Sequence, residues 1–230
     1  MNRQAQGLLL FLIGGALLRA SLTDLYLRYV KAGLRPLLIG AGVVLIVAAV
    51  ATVWYDRRRA RSAAPSHHEP WISWLLVVPL FALIVVTPPA LGSYAAERTG
   101  TALQRPLGYP PLPAGDPVRL TVLDYATRAV YDHGVSLGGR RVGITGFVTL
   151  GPGGAPYLTR MVLSCCAADA LPVKVGLAGP VPAGLQPDTW LDVVGTYTDR
   201  QSKDTVNDAP IPFIDVSQAT RVPVPANQYD

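Results

Sequence analysis

Hydrophobic and polar positions are distributed differently in the two halves of this 230-residue chain. Up to about residue 93 apolar residues run almost unbroken, in three stretches: "GLLLFLIGGALLRASLTDLYL" (7–27), "LRPLLIGAGVVLIVAAVATVWY" (34–55) and "WISWLLVVPLFALIVVTPPALGS" (71–93). Each holds the roughly 20 apolar residues that cross ~30 Å of hydrocarbon as a helix. Trp54, Tyr55, Trp71 and Trp74 stand at span ends, where interfacial aromatics collect. Arg19 and Asp24 interrupt the first stretch. Charges inside a bilayer mark pathways or helix partners, but these two lie toward the span end, where long side chains reach the interface. Gly14, Gly15 and Ala16 in the first span, with Gly40 and Gly42 in the second, permit close helix packing.

Beyond residue 93 the pattern shortens. Residues 94–117 include "RPLGYPPLPAGDP", too rich in Pro and Gly for a regular helix, and read as an extended linker. From 118 onward, "VRLTVLDY" is β-rich and "ATRAVYDHG" suits one or two helical turns. Five strand-like segments follow at 140–150, 156–166, 171–179, 189–199 and 212–225, separated by turn signals such as "GPGGAP" and "AGPVPAG". Gly146 and Gly195 inside strands suit tight coiling. The predicted architecture is three transmembrane helices followed by a small OB-like β-barrel domain over 118–230, with a small β-sandwich as the alternative.

Composition and charge follow the same division. Half of the residues are hydrophobic and only 15% are charged, against roughly 25% in soluble domains. The net charge is +6 over residues 1–100 and −1 over 101–230. The basic excess therefore sits beside apolar segments, where it sets membrane orientation. A nucleic-acid partner is not expected, because the polar half carries no basic stripe. Arg57, Arg58, Arg59 and Arg61 form the densest positive cluster, which the positive-inside rule places in the cytoplasm. With three spans, the protein is a multi-pass cell-membrane protein and residues after about 93 lie outside. Arg28, Lys31 and Arg35 in the opposite loop pull against that orientation.

The candidate chemistry is sparse. Cys165 and Cys166 are the only cysteines, adjacent within "SCCAADA" and followed by Asp169. Strand alternation puts Tyr157, Thr159, Met161, Leu163 and Cys165 on one face, read as the core, and turns Cys166 outward with Ser164 and Arg160. Cys165 then reads as a small buried hydrophobe, and Cys166 as the reactive candidate, its thiolate favoured by Arg160. For both sulfurs to grip one metal the strand must break there, with Asp169, His133 or a partner completing the shell. A strained disulfide between neighbours is a further alternative. Structural, metal-binding and redox roles all stay open. In the loop between the second and third stretches, His67 and His68 with Glu69 form a minimal set for a divalent ion, or simply a polar loop. No catalytic constellation and no phosphate-binding glycine loop is present, and no enzymatic activity is expected.

"YLTRMVLSCCAADALPVKVGL", followed by "DTWLDVVGTYT", together with the hydrophobic N-terminal half and its His-containing loop, resembles the bacterial DUF1980 permease-subunit family. The resemblance covers most of the chain, and the "CCAADA-P" motif is its specific part. It implies an accessory subunit that partners a multi-spanning permease of the UPF0718 type, with a link to zinc or other metal regulation. Many relatives have a longer His-rich tract where this chain has only His67 and His68. The implied metal residues are Cys165, Cys166 and Asp169, with zinc as the implied ion. An extracytoplasmic thiol/redox protein and a protein-binding module are the alternatives.

Overall fold

The computed structural model describes residues 3–60, 77–86 and 88–230. It divides into two compact units, Met1–Pro89 and Ala90–Asp230.

In the first unit, helix α1 spans Arg3–Leu22 and helix α2 spans Arg35–Ala60. Both are long and apolar enough to cross a membrane. They pack directly on each other, and glycine decides how closely. A Cβ on Gly14 would meet Gly42 O at 3.0 Å, and one on Gly42 would meet Leu18 Cγ at 2.8 Å. Small residues thus bring the backbones together, as in membrane helix pairs. α1 stops before the expected end of its span. Thr23 accepts from the Leu25 amide and opens a 3-10 turn over Asp24–Arg28. The turn back to α2 is held by Arg35, which donates to Ser21 O at 2.9 Å and lies over the Tyr26 ring. Arg19 is exposed near the end of α1.

Three spans were expected, but two such helices stand among the described residues. Within 71–93, helix α3 covers only Val77–Val85, and residues 71–76 lie outside the described residues. The helix ends at a bend at Val86, ahead of Pro88 and Pro89, which have no amide hydrogen to carry a helical ladder on. Ser93, taken as the end of the span, instead begins helix α4 (Ser93–Arg98) of the second unit.

The second unit is a closed five-stranded β-barrel. Its strands are β2 (Val142–Leu150), β3 (Pro156–Val162), β4 (Leu171–Ala178), β5 (Trp190–Lys203) and β6 (Pro210–Arg221). The order is β2-β3-β4-β6-β5, and β5 returns to pair with β2 from Val142↔Gly195 to Phe147↔Trp190, closing the ring. All pairs are antiparallel except β4–β6. β5 serves two partners because register shifts at Val194/Gly195 and Tyr197/Gln201 bend it. A two-residue strand β1 (Val118–Arg119) runs parallel to β2.

"VRLTVLDY" is therefore mostly not strand. Thr121 accepts from the Asp124 amide and caps helix α5, Val122–Tyr131. Val122, Tyr125, Ala126 and Ala129 recur at helical spacing and are fully buried. They join Val142, Ile144, Val148, Leu158, Val175, Leu191, Val193 and Ile214 in one core. α5 touches all five barrel strands and so plugs one end of the barrel. Gly134 (φ 72) lets the chain turn after α5 hard against Tyr197, where any side chain would clash with the ring.

Residues 94–117, expected as a free linker, belong to this compact unit and are stapled to it. Tyr109 Oη donates to Thr127 O at 2.8 Å, Tyr131 Oη to Leu103 O at 3.0 Å, and buried Arg128 to Pro110 O at 2.8 Å. A second clamp is a buried ion pair. Lys174 Nζ lies 2.8 Å from Asp204, with side chains 7% and 1% exposed. The same carboxylate accepts from the Thr101 and Val206 amides, each at 2.9 Å. Burial pushes the Asp204 carboxyl up, but the Lys174 ammonium and these amides outweigh it and hold the group below its ordinary value.

Candidate metal centre

The cysteine motif lies just past the end of β3, so the fate of that strand decides its geometry. Leu158 joins the barrel core and Val162 packs against it. Met161 and Leu163 face the other way, into a second buried cluster with Ala96, Phe147, Trp190 and Tyr229. α4 and the C-terminal segment cover that outer face, and Asp230 N donates to Met161 O at 3.0 Å. The expected assignment of the Tyr157–Leu163 face to the barrel interior is thus reversed. Both faces are apolar because both are covered, so alternation could not choose between them.

The strand then breaks. Cys165 is exposed and Cys166 half-buried, both as free thiols, against the expectation that Cys165 is a core residue. The cause is Asp169. Its Oδ1 accepts from Ser164 N at 2.9 Å, and its Oδ2 accepts from Cys165 N at 2.8 Å and from Cys166 N at 3.4 Å. One carboxylate gathers three successive amides that a ladder would otherwise take. Cys166 caps the 3-10 turn Ala167–Asp169, its sulfur accepting from the Asp169 amide. The Cys165 thiol donates to the Asp169 carboxylate.

This arrangement sets the proton affinities. The hydrogen bond to Asp169, then the neighbouring Cys166, push the Cys165 thiol up to about 11. Donation from Cys165, backed by the three amides, holds the Asp169 carboxyl down at about 2. Arg160, expected to favour a Cys166 thiolate, is committed elsewhere. It donates to Asp230 Oδ1 at 3.0 Å and to the Asn227 and Tyr229 carbonyls, and lies over the Trp190 ring.

One sulfur from each cysteine and one Asp169 oxygen lie within 4.8 Å of one another. Two soft donors and one hard donor at this spacing suit a borderline ion such as zinc. The donor set is itself a fit test. Loss of the Cys165 proton would free a sulfur lone pair toward a cation shared with the Asp169 carboxylate. Among the described residues no further His, Cys, Asp or Glu joins the group, His133 included. His67 and His68 lie outside the described residues.

A groove of about 370 Å³ opens beside the motif, and sequence reasoning missed it. Asp169 and Ser164 form part of its wall, Tyr109 and Pro106 of the 102–110 segment another part, and Leu123 and Thr127 of α5 the rest. The available signal was the apolar content of "RPLGYPPLP", which a free spacer would not need. Burial raises the Tyr109 hydroxyl pKa above its ordinary value.

The DUF1980 C-terminal domain family matches residues 118–229, the stretch that holds α5, the barrel strands and the Cys–Cys–Asp turn. Residues 118–229 belong to the DUF1980 C-terminal domain family. Comparison with curated proteins and with solved structures returns no match. In this DUF1980 protein the matched region contains all three donors of the candidate centre, and the segment 90–117 that packs on the barrel lies before it.

Proposed function

We propose that this DUF1980 protein is a membrane-anchored accessory subunit of a UPF0718-type permease, and that its barrel domain binds zinc as cargo at Cys165, Cys166 and Asp169. The observation that carries this reading is the convergence of the three donor atoms within 4.8 Å at an exposed strand end. The two apolar helices serve as the anchor. A third crossing within 71–93, with Arg57–Arg61 in the cytoplasm, puts the barrel on the outer side. The barrel is an OB-type module, a reading supported by its strand order and its single parallel closure between β4 and β6.

Three protein donors leave a tetrahedral ion one donor short. The neighbouring groove offers room for a fourth, from water or from the permease. Exposure suits a site that hands its ion on. Asp169 holds the turn open and keeps both sulfurs beside its carboxylate. The raised Cys165 thiol keeps the site protonated in the absence of metal, which disfavours disulfide exchange and makes binding proton-linked.

The test is a zinc titration of the full chain in detergent against a competing chromophoric chelator, with proton release measured. One ion per chain, with protons released on binding, is expected. Cys165→Ser and Asp169→Asn each weaken binding by at least an order of magnitude, in line with the loss of a ligand. Unchanged affinity in both variants overturns the metal reading.

A further inference from the structure

The α1–α2 hairpin carries a groove that neither the barrel nor the metal reading uses. It lies where the start of α1 meets the end of α2 and encloses about 770 Å³, within the ~300–1,000 Å³ of ligand-holding clefts. Its floor is Gly7 and Ala49, both buried, and a Cβ on Gly7 would meet Val53 Cγ2 at 2.9 Å. Its walls are apolar and open, with Phe11 52% and Trp54 56% exposed. Its rim changes character within one helical turn, to Asp56 and the exposed arginines Arg57 and Arg58. Arg58 lies 4.9 Å from the Trp54 ring centroid.

An apolar trough ending in a net positive rim is complementary to an amphipathic anion. We propose that it binds one anionic phospholipid, with acyl chain along Phe11, Val50 and Val53 and phosphate at Arg57 and Arg58. Two arguments select this occupant. Guanidinium groups match phosphate oxygens with paired donors. The rim also falls at the end of an apolar helix, the depth at which headgroups lie. A neighbouring helix could fill the apolar walls but would leave no use for the arginines. The inference is independent of the metal reading and rests on the helix pair lying in a bilayer.

The experiment places the full chain in nanodiscs of equal phosphatidylglycerol and phosphatidylcholine, releases it into a mild detergent, and counts retained lipid by native mass spectrometry. One phosphatidylglycerol is retained with roughly tenfold preference, the scale of two arginines opposed by one aspartate. Arg57→Gln with Arg58→Gln removes the preference. Val50→Trp, which fills the trough, removes the lipid with both arginines intact. Inorganic phosphate at millimolar concentration leaves the bound lipid in place, because the chain supplies part of the affinity. Equal retention of the two lipids, preference that survives loss of both arginines, or displacement by phosphate alone overturns the proposal. So does a cross-link from Phe11→Cys to another helix in place of lipid. Failure to enter nanodiscs at all overturns the membrane reading, whereas insertion without preference overturns this inference alone.

Discussion

Replacing Asp169 with Asn tests the reasoning about the cysteine turn most directly. The asparagine amide keeps one of the two acceptor oxygens, enough for the Cys165 and Cys166 amides, and gives up the bond to the Ser164 amide, so the turn is retained in part. It removes the charge that receives the Cys165 proton. The Cys165 thiol now stands at about 11 instead of its ordinary 9.0, and Asp169 is the leading cause. At pH 8 a return to the ordinary value raises the thiolate fraction about 100-fold, from roughly 0.1% to roughly 10%. The less basic thiolate is also a weaker nucleophile, by roughly six- to tenfold over that interval. The net expectation is alkylation up to roughly 10- to 16-fold faster at pH 8, with the inflection of the rate–pH profile moved toward neutrality. The assay is iodoacetamide modification of the full chain followed by mass spectrometry, with Cys166→Ala in both arms so that one thiol reports. An unchanged rate and inflection would refute the claim that Asp169 controls Cys165.

Other outcomes follow from single contacts. Lys174→Met leaves the Asp204 carboxylate buried beside two amides and costs roughly 3–5 kcal/mol in denaturant unfolding, the scale for breaking a buried pair. The pH dependence also changes sign. With Lys174, the lowered Asp204 carboxyl contributes stability that is present above pH 3.8 and lost as pH falls. Without Lys174, burial raises the carboxyl, so the variant regains stability as acid protonates it. Gly42→Val drives a side chain into Leu18 and destabilises the helix pair by roughly 1–3 kcal/mol, measured as helix loss during an SDS titration. The amides of Ser164 to Cys166 resist hydrogen exchange while Asp169 is ionised and lose that protection as pH falls from 3.8 toward about 2; protection that persists below that range counts against the cap.

What could be read from the chain was what depends on local pattern. Two long apolar helices, five strands at nearly the expected places and the close approach at Gly14 and Gly42 follow from hydropathy, turn residues and side-chain size. Helix α5 was half hidden because "VRLTVLDY" is as apolar and β-branched as a strand, and its Thr121 cap is a local hydrogen bond that composition does not register. "SCCAADA" pointed to three residues whose donor atoms the fold brings together, but to the wrong geometry. Alternation assumes one covered face, and here α4 and the C-terminal segment bury the second. Those segments lie some sixty residues to either side of the motif, so only tertiary packing could reveal that Met161 and Leu163 face outward. The same holds for the 94–117 segment. Its prolines exclude a helix but say nothing about whether Tyr109 finds Thr127 or Arg128 finds Pro110. Sequence by itself determined which residue types are available and at what spacing. The folded chain decided which surfaces are covered and made Asp169 the residue that breaks the strand and exposes Cys165, because hydrogen bonding and burial are settled by whatever packs nearest in space.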